Sequence, residues 1–140
     1  MVSAFNILYS VSAVRRLLGL AAGVSIRIQN FFYVIWVHVT GQRPTFISKQ
    51  TFKRHFAEHR QAAARALTAT RDVFQPQIFR VRNESKGTFY TVKTFTGGVL
   101  CDCEDFKNQS QFFGKACCKH AYAVLYELGF TDLRDYIARS

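Results

Sequence analysis

The feature that most constrains this chain is a pair of short clusters: Cys101-Asp102-Cys103 and, after fourteen residues, Cys118-Lys119-His120. Three thiols and an imidazole make a Cys₃His donor set, one of the combinations that closes a tetrahedral structural zinc site. All four cysteines of the chain lie between positions 101 and 118. Cys-x-Cys and the vicinal Cys117-Cys118 pair are awkward disulfide partners, yet both suit metal ligation in a reducing compartment. The chain therefore reads as intracellular, with one Zn²⁺ as its cofactor.

The flanking residues predict how the donors are brought together. Residues 78–82 and 89–95 read as strands joined by a polar turn ending in Gly87, and Gly97-Gly98 makes the next reversal. A third strand over 99–103 completes an antiparallel meander. Strand side chains alternate, so Cys101 and Cys103 share a face while Asp102 points away. Residues 104–116 read as a connector. His120 opens a helix that runs to about Leu128 and stops at Gly129, which suits the C′ position. Cys118 and His120 then sit at a helix N-terminus, where peptide dipoles favour thiolate charge. Ala121, Val124, Leu125 and Leu128 form its buried stripe. Thr131 is read as the cap of a last helix with Leu133, Tyr136 and Ile137 inward.

Cys101-x-Cys103 and Cys118-x-His120, with Glu104-Asp105-Phe106 after the first pair and the strand before and helix after, resemble the SWIM-type zinc finger. The resemblance covers about residues 75–130, including the lead-in Tyr90-Thr91-Val92. It implies zinc ligation by Cys101, Cys103, Cys118 and His120. The family occurs in mutator-like transposases, chromatin-remodelling ATPases, ubiquitin ligases and recombination factors, and implies a partner that is DNA or protein. Cys117 departs from the family's single cysteine; the Cys-x-His match selects Cys118 and leaves Cys117 a spare thiol.

Upstream, residues 49–72 lack Gly and Pro and are rich in Ala, Arg and Gln, which predicts a long helix capped by Ser48. Steps of 100° place Phe52, Phe56, Ala63, Leu67, Thr70 and Phe74 on one face, with His59 among them as a packed histidine. Lys49, Lys53, Arg60 and Arg71 fall on one flank of that face, as either a solvated surface or a phosphate-contacting stripe. The net charge of +10 points to an anionic partner such as nucleic acid. Residues 1–75 hold ten bases against two acids, and residues 76–140 nine against seven. A phosphate-binding surface is therefore expected in the first 75 residues.

The N-terminal stretch is apolar. Val24, Ile26 and Ile28 alternate with polar residues as in a half-buried strand, and residues 31–39 form a continuous apolar run. The window 17–39 is long enough to span a bilayer, but Arg27 lies near its middle, at a cost of roughly 2.5–3.5 kcal/mol. The first fourteen residues lack the basic region of a signal peptide. The segment is read as packed on a core or a partner rather than in a membrane. Its aromatic residues, Phe31 to Trp36, favour a protein partner.

Four protein ligands leave no open position on the ion, and no carboxylate is placed as a general base, so catalysis is not expected. The whole reads as an α+β fold. Residues 1–45 form an apolar segment, 46–74 a basic amphipathic helix, and 75–140 a short antiparallel meander and helix around one structural zinc. The expected function is that of a zinc-binding module for nucleic acid, DNA foremost, or alternatively a protein–protein adaptor.

Overall fold

The computed structural model describes residues 4–139 and is α+β, with two antiparallel sheets. The chain divides into two compact units, Met1–Glu58 and His59–Ser140. The boundary falls inside one helix.

The first unit contains α1 (Ala4–Leu8), α2 (Val11–Leu18), β1 (Ile26–Asn30), β2 (Val34–Val39), β3 (Thr45–Ser48) and the start of α3 (Lys49–Ala64). Its sheet has the order β1-β2-β3, with Ile28 opposite Val37 and Ile35 opposite Ile47. Alternation turns Ile35, Val37 and Val39 inward onto Tyr9, Ala13, Val14 and Phe52. The apolar run 31–39 is thus divided: its second half is the central strand, while Phe31, Phe32 and Tyr33 occupy the turn before it and are exposed. The sequence did not predict the two helices before β1. Ser10 caps α2 by accepting from the N–H of Ala13 at 3.0 Å, and Arg15 donates to the carbonyls of Ala21 and Val24 at 2.6 and 2.8 Å. Ser48 caps α3 as expected, its Oγ accepting from the N–H of Thr51 at 3.1 Å. Among the described residues no helix is long and apolar enough to cross a membrane.

The second unit corrects the extent of the basic helix. α3 ends at Ala64, and residues counted in its last two turns form β4 (Thr68–Arg71), paired antiparallel with β5 (Ile78–Asn83). Thr68 and Thr70 are β-branched and alternate with Ala69 and Arg71, a pattern that a neighbouring strand edge recruits more strongly than weak helix propensity holds it. Phe74, placed by sequence on the helical face, is 92% exposed. The chain reverses instead at Asp72, whose Oδ1 accepts from the N–H groups of Phe74 and Gln75 at 2.8 and 2.9 Å.

β6 (Thr88–Phe95) and β7 (Gly98–Cys101) complete the order β4-β5-β6-β7. The inner face carries Phe79, Val81, Val92 and Val99. Onto it pack Phe106 of α4 (Glu104–Phe113), Ala121, Val124 and Leu125 of α5 (Lys119–Glu127), and Tyr136 of α6 (Leu133–Arg139). Full burial of each large apolar side chain contributes about 1.5–3 kcal/mol. The Tyr136 hydroxyl also donates to the carbonyl of Phe95 at 2.8 Å. Phe95 folds its ring over Gly98, where a Cβ would lie only 2.8 Å from a ring carbon.

Three further expectations change. Residues read as a connector form α4, begun by Cys103 with Glu104 and Asp105 in its first turn and ended by Gly114 at φ +70°. The last helix is capped by Asp132, not Thr131: Asp132 Oδ1 accepts from the N–H of Asp135 at 2.7 Å. Tyr136 is buried there and Leu133 partly buried, whereas Ile137 is 41% exposed.

Candidate metal centre

Cys101 ends β7, Cys103 is the N-cap of α4, Cys118 the N-cap of α5, and His120 lies in the first turn of α5. Strand pairing stops at Cys101. Cys103 nonetheless remains extended, at φ −78° and ψ 159°, because an N-cap residue adopts strand-like dihedrals. The shared face of Cys101 and Cys103 thus comes from strand and cap in succession rather than from one strand.

One potential ligand atom from each of the four residues lies within 4.8 Å of the others, and all four residues are buried. His120 Nδ1 is 3.8 Å from Cys101 Sγ and 3.7 Å from Cys118 Sγ. A tetrahedral ion with bonds of about 2.3 Å to sulfur and 2.0–2.1 Å to nitrogen has N···S edges of about 3.6 Å. The cluster is therefore compatible with one bound metal ion of zinc's size.

Two helix N-termini meet at this cluster. The N–H of Phe106 donates to Cys103 Sγ and that of Ala121 to Cys118 Sγ, each at 3.4 Å. Both thiols thus replace the hydroxyl or carboxylate of an ordinary cap, and the positive ends of both helices favour negative charge on sulfur. Hydrogen bonds from Cys101 and then Cys118 hold the Cys103 thiol far below the usual range. Cys101 is pushed up to about 12, first by its hydrogen bond with Cys103, and Cys118 is raised, first by its hydrogen bond with Cys101. A metal ion must displace the protons held by these raised thiols.

A partly buried polar network supports the second pair of donors. Arg60 donates through Nε and Nη2 to both carboxylate oxygens of Asp105, at 2.9 and 2.8 Å. Gln109 Nε2 donates to Asp105 Oδ2 at 3.0 Å and to the carbonyl of Cys117 at 3.4 Å, while Gln109 Oε1 accepts from the N–H of Cys117 at 2.9 Å. The residue before Cys118 is thereby tied to α4 at both backbone groups. On the other side the Tyr90 ring lies over His120, with centroids 4.5 Å apart. Sequence reasoning missed Asp105 and Gln109 because it treated their segment as irregular. The acids Glu104 and Asp105 in a first turn were the available signal.

Cys117 stands outside the four-residue cluster, partly buried, with its thiol pushed up to about 12 chiefly by burial. His59, expected to be packed, is exposed instead, at the rim of a cleft of about 470 Å³ that reaches Cys103, Cys118 and His120.

Of the four cations expected on one helical flank, Lys49, Lys53 and Arg60 lie within α3 and Arg71 lies past its end. Lys49 and Lys53 belong to α3 in the first unit, and Lys49 places its ammonium 5.3 Å from the centre of the Tyr9 ring. Arg60 lies beyond the unit boundary with its guanidinium held by Asp105. Arg71 is on β4, with its guanidinium 5.1 Å from the centre of the Phe79 ring.

No family model, curated protein or solved structure matches the chain.

Proposed function

We propose that this chain is a zinc-binding module of the SWIM type, and that it binds nucleic acid, DNA foremost, through a basic surface. The convergence of Cys101, Cys103, Cys118 and His120 at mutual distances within 4.8 Å carries the metal reading. Buried thiolate and imidazole donors suit Zn²⁺ better than hard cations. With all four positions filled by side chains, the ion serves as a fastener between β7, α4 and α5, and chemistry at the metal has no place in the reading. The net charge of +10 supports an anionic partner.

Elemental analysis of the purified chain tests the first part: one zinc per chain is expected, lost in Cys101→Ala, Cys103→Ala, Cys118→Ala and His120→Ala but kept in Cys117→Ala. Full zinc occupancy in Cys118→Ala would refute the ligand set. For the second part, affinity for DNA should fall steeply as salt rises.

A protein adaptor is the alternative, favoured by one observation. Phe32 and Tyr33 are 81% and 77% exposed, beside exposed Phe31 and Phe46, an aromatic cluster of the kind that marks protein contacts. Failure to bind any oligonucleotide at low salt would leave this reading in place of the first.

A further inference from the structure

We propose that the solvent face of the β4-β5-β6-β7 sheet is a platform for single-stranded nucleic acid; this rests on the nucleic-acid reading and gives it a surface and a ligand form. Alternation turns Phe79, Val81 and Val92 to the core and leaves Arg80, Arg82, Phe89 and Lys93 exposed on the opposite face. Arg82 stands opposite Phe89 and Arg80 opposite Thr91. The Arg80 guanidinium lies 5.3 Å from the centre of the Phe89 ring, so cation and ring form one continuous surface. Phe89 and Phe95 are 53% and 44% exposed on the same strand.

The outward strand positions carry charge of one sign, and at the edge of the face Asp72 and Glu84 join Arg80, Arg82 and Thr91 in lining a cleft. No outward position of the four strands carries a carboxylate. Of the acids at its margins, Asp72 accepts from two backbone N–H groups and Asp102 from the N–H of Thr91 at 3.1 Å, while Glu84 sits in the β5–β6 turn. The near balance of residues 76–140 thus hides a segregation. Their acids lie in the turns and helices and just after β7, while three bases line the bare sheet. This revises the expectation that a phosphate surface draws mainly on the first 75 residues.

The form of the ligand follows from shape. Four strands span about 14 Å, wider than a major groove of about 12 Å, which admits a helix or a two-stranded ribbon. Exposed phenylalanine rings stack on bases only where those bases are unpaired. Rings for base faces and cations for phosphates engage chemistry that DNA and RNA share, so the platform is indifferent to the sugar.

Fluorescence anisotropy with the zinc-loaded full chain tests this, using a labelled oligothymidylate of about 12 nucleotides, the matching oligouridylate, a duplex of equal length and heparin. Both single strands should bind within a few-fold of each other and more tightly than duplex or heparin. Phe89→Ala should weaken binding roughly tenfold with an unchanged salt slope, and Phe89→Trp should restore it. Arg80→Glu with Arg82→Glu should weaken binding and lower the slope by about 1.4. Zinc content and circular dichroism confirm that each variant is folded. Wild-type affinity in the sheet variants, with loss in Lys49→Glu/Lys53→Glu, would overturn the platform and leave nucleic-acid binding standing. Preference for duplex, for one sugar by tenfold or more, or equal affinity for heparin would also overturn it. No binding of any oligonucleotide at low salt would remove both.

Discussion

Gln109 shows how much of a candidate metal centre rests on residues outside its donor set. It is 3% exposed, and each half of its amide is partnered, so Gln109→Ala would leave the Cys117 N–H without its acceptor and free the loop that carries Cys118. An orphaned buried group costs about 1–3 kcal/mol, and loss of a supporting partner typically costs 10–100-fold in metal affinity. Thermal melts and a competitive zinc titration should show both effects; an unchanged zinc affinity would mean that the loop is held by other contacts. Cys117 illustrates the opposite case, a partly buried thiol beside the site and outside the four-residue cluster. Its value is raised to about 12, so the thiolate is scarce at neutral pH and grows as pH rises toward that value. Alkylation of Cys117 by iodoacetamide, followed by mass spectrometry of the zinc-loaded chain, should climb about tenfold per pH unit from pH 8 to 11. An ordinary thiol levels off above about 9. A plateau near pH 9 would contradict the burial argument.

Elements were legible in the sequence where a local signal and the tertiary context agreed. α5 was readable because Gly129 stops it and an unbroken apolar run, Ala121 to Leu125, fills it, and the meander because polar and Gly turns separate β-branched runs. β4 was not, because residues 65–71 contain neither Gly nor Pro to break the helical pattern before them. What decides their state is the free edge of β5, a partner that no local window contains. α4 escaped notice for another reason: its cap is a cysteine, outside the usual Ser, Thr, Asp and Asn set, and the sulfur accepts the N–H that an oxygen normally would. Ser48 is an ordinary cap and offers a plain test of the helix start. Ser48→Ala should cost about 1 kcal/mol in urea unfolding, with an unchanged slope against denaturant. A difference below a few tenths would mean that water satisfies the Thr51 N–H equally well.

At the scale of the molecule, the four candidate metal donors all belong to the second unit, while the first has its own core of Tyr9, Val14, Ile35, Val37 and Phe52. The sequence located the donor cluster but not this division, because the boundary lies inside α3, where neither Gly, Pro nor a change of composition marks it. A sum of charge over residues records how many bases and acids there are, and only the pleat of the sheet separates Arg80, Arg82 and Lys93 from the acids near them in sequence. The division makes a prediction about the metal. If zinc fastens β7, α4 and α5, its removal by a chelator withdraws binding free energy from the second unit alone. Hydrogen exchange should then quicken in α4, α5 and β7, while amides of α2 and β2 keep their protection. Loss of protection in both units together would show that the two cores unfold as one, and unchanged exchange in α4 and α5 would show that the ion is not what holds them.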